Sequence, residues 1–293
     1  MKNIDWPKVE IQQVAGSSGK LLEVACAEAF LAAGWKIRLG SHFADGALGV
    51  IRELDVLVEK EQLLAPSTPI RVRVLLSCRG FPPERSPMVY SVSESSIPTV
   101  TPRVLSSHRT QQVWPSFEQN YGPIDPVEEP AAARLLGAAG LSKSRPVIAF
   151  DIVERTETVP SKGPDKGKVL ATYARGRDSD RSMFAAVDSA VRACFFWTQE
   201  DYQRQRPPHF AALNIAVCVL SVPFWDICID GGILSEPQVK YRAYQSNSYP
   251  ARPSSKEVMA LIWTVEQIKD LISAFDDLFA WFIDEIKSIS GMG

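Results

Sequence analysis

The sequence has little net charge of either sign. Across 293 residues, 32 Lys and Arg face 34 Asp and Glu, a formal net charge of -2. That excludes a chain basic throughout, so any nucleic-acid binding must come from a local patch. Histidine is scarce: His42, His108 and His209 stand far apart in sequence, which argues against a histidine metal site or a Ser-His-Asp triad. The five cysteines, at 26, 78, 194, 218 and 228, form no CxxC pair; the odd count fits reduced thiols in a cytoplasmic protein, and no structural zinc is expected. Neither of the glycine-rich phosphate loops of nucleotide-binding proteins occurs. Long hydrophobic runs are also missing. The longest, over 210–225, is broken by Asn214, Ser221 and Pro223 and falls short of the roughly 20 residues of a membrane helix. The start, MKNIDWPKVEIQQ, lacks the features of a secretory signal, so neither membrane insertion nor export is expected.

What is present is an ordinary globular composition, 45% hydrophobic and 23% charged, enough for one large or two small domains. Residues 19–35 carry Leu21, Leu22, Ala25, Phe30 and Leu31 at helical spacing, with Ser17 or Ser18 as N-cap and Gly34 after the end. Strands are predicted over 35–39, 51–59 and 70–78, with a Gly/Asp/Ser turn region over 40–49. Residues 95–180 change character, rich in Pro, Ser and Gly, and read as an insertion. It holds a short helix over 130–141 and a hairpin, 146–159 with 169–175, around the loop SKGPDKGK. Regular structure returns with a helix over 182–198 and strands over 210–222, 224–229, 238–244 and 258–263, with Gly231-Gly232 as a turn. Thr264 and Gln267 suggest a capping box for a last helix, about 30 Å or more in length. Its apolar stripe, Val265 through Ile286, suits core packing first and a subunit interface second.

Chemistry is concentrated in Gly19-Lys-Leu-Leu-Glu23, Arg52-Glu53-Leu54-Asp55-Val56-Leu57 and Ser77-Cys78-Arg79-Gly80, followed by Pro87-Met88-Val89-Tyr90. This order resembles the PD-(D/E)XK superfamily of restriction-endonuclease-like nucleases. There a glutamate sits in the first helix, an aspartate on the second strand, and E-x-K on the third. The resemblance places Glu23 on the helix carboxylate, Asp55 on the metal-binding aspartate, Ser77 on the second acidic ligand and Arg79 on the lysine. It implies an α/β fold with a mixed central sheet flanked by helices. Residues 1–94 and 181–293 would form one domain, interrupted by the 95–180 insertion and closed by the long C-terminal helix. It further implies Mg²⁺ or Mn²⁺ if the protein is active, a DNA or RNA partner, and a setting in bacterial defence or DNA processing.

In such a site carboxylates on adjacent strands hold a hard divalent cation, which stabilises charge on the phosphodiester and acidifies its water. Here a neutral serine replaces one ligand. Arg79 keeps the positive charge but, with a pKa above about 12, cannot serve as a base. Glu53 shares a face with Asp55 on an extended strand and is the one plausible replacement ligand, so the metal set would be Asp55, Glu23 and Glu53. The bland readings stand beside these. Glu23 alone is a solvated helix residue. Asp55, among apolar neighbours, needs a partner, and an ion pair with Arg79 would satisfy it without catalysis. Cys78 reads as a small buried hydrophobe. Lys162, Lys166 and Lys168 with Arg175, Arg177 and Arg181 form the strongest basic concentration; a solvated loop is the ordinary reading, a phosphate-contacting arm the sharper one. Three functions stay open: an impaired nuclease-fold protein that binds nucleic acid or acts as a scaffold, an active metal-dependent nuclease, and an interaction protein assembling through its C-terminal helix.

Overall fold

Among the described residues the periodicities resolve into four α-helices and a 13-stranded sheet in a computed structural model. It describes residues 19–45, 49–64, 68–82, 84–92, 103–109, 127–141, 145–175, 179–203, 210–230, 233–235, 238–239, 241–246 and 258–290. In chain order, α1 (Lys20–Ala32) leads into an antiparallel meander of β1 (Lys36–Asp45), β2 (Val50–Leu63) and β3 (Pro69–Arg79). Next come β4 (Arg85–Val92), β5 (Leu105–Arg109), α2 (Glu128–Ala138), β6 (Arg145–Thr158), β7 (Leu170–Arg175) and α3 (Ser179–Gln203). The remainder is β8 (Phe210–Leu220), β9 (Phe224–Asp230), β10 (Ile233–Ser235), β11 (Gln238–Val239), β12 (Tyr241–Ser246), β13 (Val258–Thr264) and α4 (Ile268–Ser290).

β8 is the centre of the sheet, and all eleven of its residues are buried, the continuous apolar pattern of a strand covered on both faces. It runs parallel to β3 on one side. On the other side β5 pairs antiparallel with its first half and β13 parallel with its second. One face is covered by α1, α2 and α4, the other by α3. A second group of strands, β4, β6, β7, β9, β10 and β11, joins the first through two residue pairs between β12 and β6. The 95–180 segment is therefore woven into the sheet, with β5 beside β8 and β6 between β4 and β12. None of the described helices is long and apolar enough to cross a membrane.

Two local expectations are corrected. The 40–49 turn is mostly strand, because β1 continues through Gly40, which takes a left-handed φ of 58°, to bury Phe43 and Asp45. Asp45 is drawn inward by Arg52 at 2.8 Å and Arg192 at 3.0 Å, and Asp188 closes the quartet by bonding Arg192 at 2.7 Å. Nor does Thr264 cap the last helix through its side chain. A 3₁₀ turn, Val265–Gln267, intervenes, and the Trp263 indole N–H donates to the Gln267 carbonyl at 2.7 Å. The proposed N-caps Ser17 and Ser18, and the Gly231-Gly232 turn, lie outside the described residues.

The apolar stripe of α4 is spent inside the chain, where Leu271, Phe275, Leu278, Phe282 and Ile286 are buried. Phe275 packs on Phe30 and Trp35, and Asp276 accepts from the Trp35 indole at 3.0 Å and from Lys60 at 2.7 Å. On the opposite face Arg73, 2% exposed, makes a two-point contact with Asp201 at 2.5 and 3.1 Å, bonds Glu59 at 2.6 Å, and lies over the Trp197 ring. Ser107 of β5 donates to the same Asp201 at 2.9 Å. This network ties α3, β3 and β5 together. Removing one member of a buried pair strands the other charge, at a cost of about 3–5 kcal/mol. Asp201→Ala should therefore lower unfolding free energy by about that amount in urea titrations, whereas the exposed Lys269→Ala should leave it within about 0.5 kcal/mol.

Candidate functional site

At the C-terminal end of β3 the helix, the second strand and the third strand meet. Gly19 precedes α1 with a left-handed φ of 80°, and a Cβ there would stand 3.2 Å from the Cys78 carbonyl oxygen. Only glycine allows this start and this approach. The helix buries Leu22, Cys26, Ala27 and Phe30, which turns its first-turn residue Glu23 inward as well, at 7% exposure.

Asp55 stands where two strands part. The β2–β3 ladder ends at the pair Val56 and Leu76. In the packing, Leu54 lies with Leu57 on the α3 side, while Val56 and Val58 lie on the other. Strict alternation would place Leu54 with Val56, so the strand rotates at Asp55. The carboxylate fills the gap, its Oδ2 accepting from the Cys78 backbone N–H at 2.7 Å and the Ser77 hydroxyl at 3.2 Å. Arg79 meets the same oxygen at 3.5 Å and donates to the Cys78 carbonyl at 3.0 Å. The ion pair between Asp55 and Arg79 read from the sequence is therefore formed.

Lys20, which the sequence reading passed over, completes the cluster. Its ammonium is 3.0 Å from Glu23 and 3.6 Å from Glu53, bridging the two carboxylates. Its hydrogen bond to Glu23 raises its pKa. Only the spacing of Lys20 and Glu23, three apart on one helix face, hinted at this role. Burial pushes the Glu23 carboxyl above its ordinary range; the Lys20 bond opposes the rise, and Asp55 and Glu53 add to it. Behind the cluster, the Cys78 thiol is held well above the usual range by a hydrogen bond with Cys26 and by burial. Burial also pushes Cys218 up to about 12. Cys78 is the small buried hydrophobe expected of it.

The four residues Glu23, Asp55, Ser77 and Arg79 thus converge, with Glu53 at the rim. The chemistry of the donor set, however, does not suit a divalent cation. Asp55 gives one oxygen to two hydrogen donors and an arginine ion pair, Ser77 offers no anionic oxygen, and a lysine ammonium already bridges the other two carboxylates. Two protein cations, Lys20 and Arg79, already face these carboxylates. Lys162, Lys166 and Lys168 lie elsewhere, in the loop between β6 and β7, and are exposed. The side chains of Arg175 and Arg181, and all of Arg177, lie outside the described residues. No family model, curated protein or solved structure matches the chain.

Because the folded state binds the Glu23 proton more tightly than the unfolded chain, its contribution to stability falls as pH rises from the ordinary 4.5 through the raised folded value. Glu23→Gln keeps an acceptor for Lys20 without the charge. Thermal unfolding should show a higher Tm than the parent near neutral pH, with the gain vanishing below the ordinary glutamate range.

Proposed function

We propose that this chain is a nuclease-fold protein of the PD-(D/E)XK kind whose catalytic centre has become a self-neutralised polar cluster, and that it holds nucleic acid or serves as a scaffold instead of cutting. The observation that carries the reading is the meeting of Glu23 from the first helix with Asp55 from the second strand and Ser77 and Arg79 from the third, with Lys20 and Arg79 answering the carboxylates. The helix-then-meander order and the mixed sheet flanked by helices support the fold assignment. Fold likeness alone does not give function; the substituted ligand set is what argues against efficient hydrolysis. Bacterial defence or DNA processing is the setting that the resemblance suggests.

A second reading, active metal-dependent hydrolysis, draws on the same cluster. It requires the ammonium of Lys20, 63% exposed, to release Glu23 and Glu53 to the ion. Incubating the purified chain with plasmid and single-stranded substrates in Mg²⁺ or Mn²⁺ separates the two. Cleavage no greater than that of Asp55→Asn is expected; cleavage abolished by that substitution would establish the second reading. The strand alignment has its own check. Ser77→Glu combined with Arg79→Lys should create Mn²⁺ binding detectable by calorimetry, and a folded double variant that binds none would count against the alignment.

A further inference from the structure

The cluster at the end of β3 holds three carboxylates against two cations, so it does not by itself attract a phosphate backbone. Positive surface must come from another element, and the β6–β7 hairpin carries it. A short link follows Arg79, held by the Phe81 N–H donating to the Ser221 hydroxyl at 2.8 Å. β4 then begins at Arg85, which pairs with Glu154 of β6, and the Arg155 N–H donates to the Glu84 carbonyl at 2.7 Å. Beyond that point β6 has β7 as its pairing partner, from Arg155 opposite Tyr173 to Thr158 opposite Leu170. The ribbon continues past the start of β4. At about 3.3 Å per residue it reaches out roughly 15–20 Å before its turn.

The tip is a hydrogen-bonded turn. Gly163 and Gly167 take left-handed φ values of 92° and 80°. The Gly167 N–H donates to the Pro160 carbonyl at 3.1 Å, Lys166 to Gly163 at 3.2 Å and Lys168 to Asp165 at 3.0 Å. The acidic side chains along the ribbon are answered locally: Glu154 by Arg85, Glu157 by Arg155, and Asp165 by Lys168. Among the described residues Lys162 and Lys166 have no carboxylate partner. Val159 and Val169, each 60% exposed, flank them. An isolated two-stranded ribbon is marginal in water, and one that presents valines and unpaired lysines together suits a surface both anionic and partly apolar.

Resting on the nucleic-acid reading above, we propose that the β6–β7 hairpin is a backbone-binding arm. In it Lys162, Lys166 and Lys168, the last exchanging its Asp165 pair, contact phosphates of a nucleic acid strand, and Val159 and Val169 lie against its sugars or bases. The test is fluorescence anisotropy of the full chain with a labelled duplex and the matching single strand, from about 50 to about 200 mM salt. The triple variant Lys162→Ala, Lys166→Ala, Lys168→Ala should bind at least about tenfold more weakly at the low-salt end. Its slope of log affinity against log salt should be shallower by about 2 to 3, as three lost phosphate contacts require. Lys269→Ala on α4 should match the parent. If the parent binds and the triple variant matches it in affinity and slope, the arm is overturned while the nucleic-acid reading stands. If the parent binds neither oligonucleotide, the reading itself fails and the arm with it. Lysine-dependent binding to phosphatidylserine vesicles in place of nucleic acid also overturns the proposal.

Discussion

A carboxylate set where two strands separate has to be answered by the chain around it, and much of this site follows from how Asp55 is answered. Its Oδ2 takes the Cys78 N–H at 2.7 Å, a backbone donor left without a β2 partner once the ladder stops. The bond ties β2 to the end of β3 after their own ladder has ended, where β8 still pairs β3 through Arg79, and the Cys78 carbonyl is the one against which Gly19 starts α1. Helix, second strand and third strand are thereby brought to one point. The side chains that follow, Lys20 and Glu23 on one side and Ser77 and Arg79 on the other, occupy positions set by that closure.

The electrostatics of the cluster favour internal settlement over capture of a foreign ion. An ammonium on a short tether from the same helix bridges Glu23 and Glu53 without the loss of translational freedom that a diffusing cation would suffer. Arg79 does the same for Asp55 while also holding a main-chain carbonyl. Glu23 nevertheless remains a carboxylate whose charge is disfavoured by burial. The settlement is imperfect, and a proton is the simplest way to complete it.

Legibility in the sequence followed the range of each interaction. α1, β2, β3 and the β6–β7 hairpin announced themselves through periodicity and turn residues, which act over a few positions. Glu23, Asp55, Ser77 and Arg79 were found because residue type and element order are both written along the chain. Lys20 was missed because its role depends on where the helix start lands against β3. β5, Leu-Ser-Ser-His-Arg, carries no strand pattern; its serines are buried because Ser107 bonds Asp201 and the Ser106 N–H meets Glu128. For the same reason the 95–180 segment read as an insertion, since nothing local says that a strand from it lies beside β8. Gly40 read as a turn because a left-handed residue is more familiar there than within a strand.

The position of β8 has a consequence for how the chain is made. β3, nearly all buried, is paired on one side by β2 within a local meander, but its other side is covered by a strand that leaves the ribosome only after β4 to β7 and α3 have been synthesised. Until then the nascent protein carries an open, sticky sheet edge of the kind that recruits other chains. Closing that edge is a late event, set by when β8 becomes available and not by the meander's own stability.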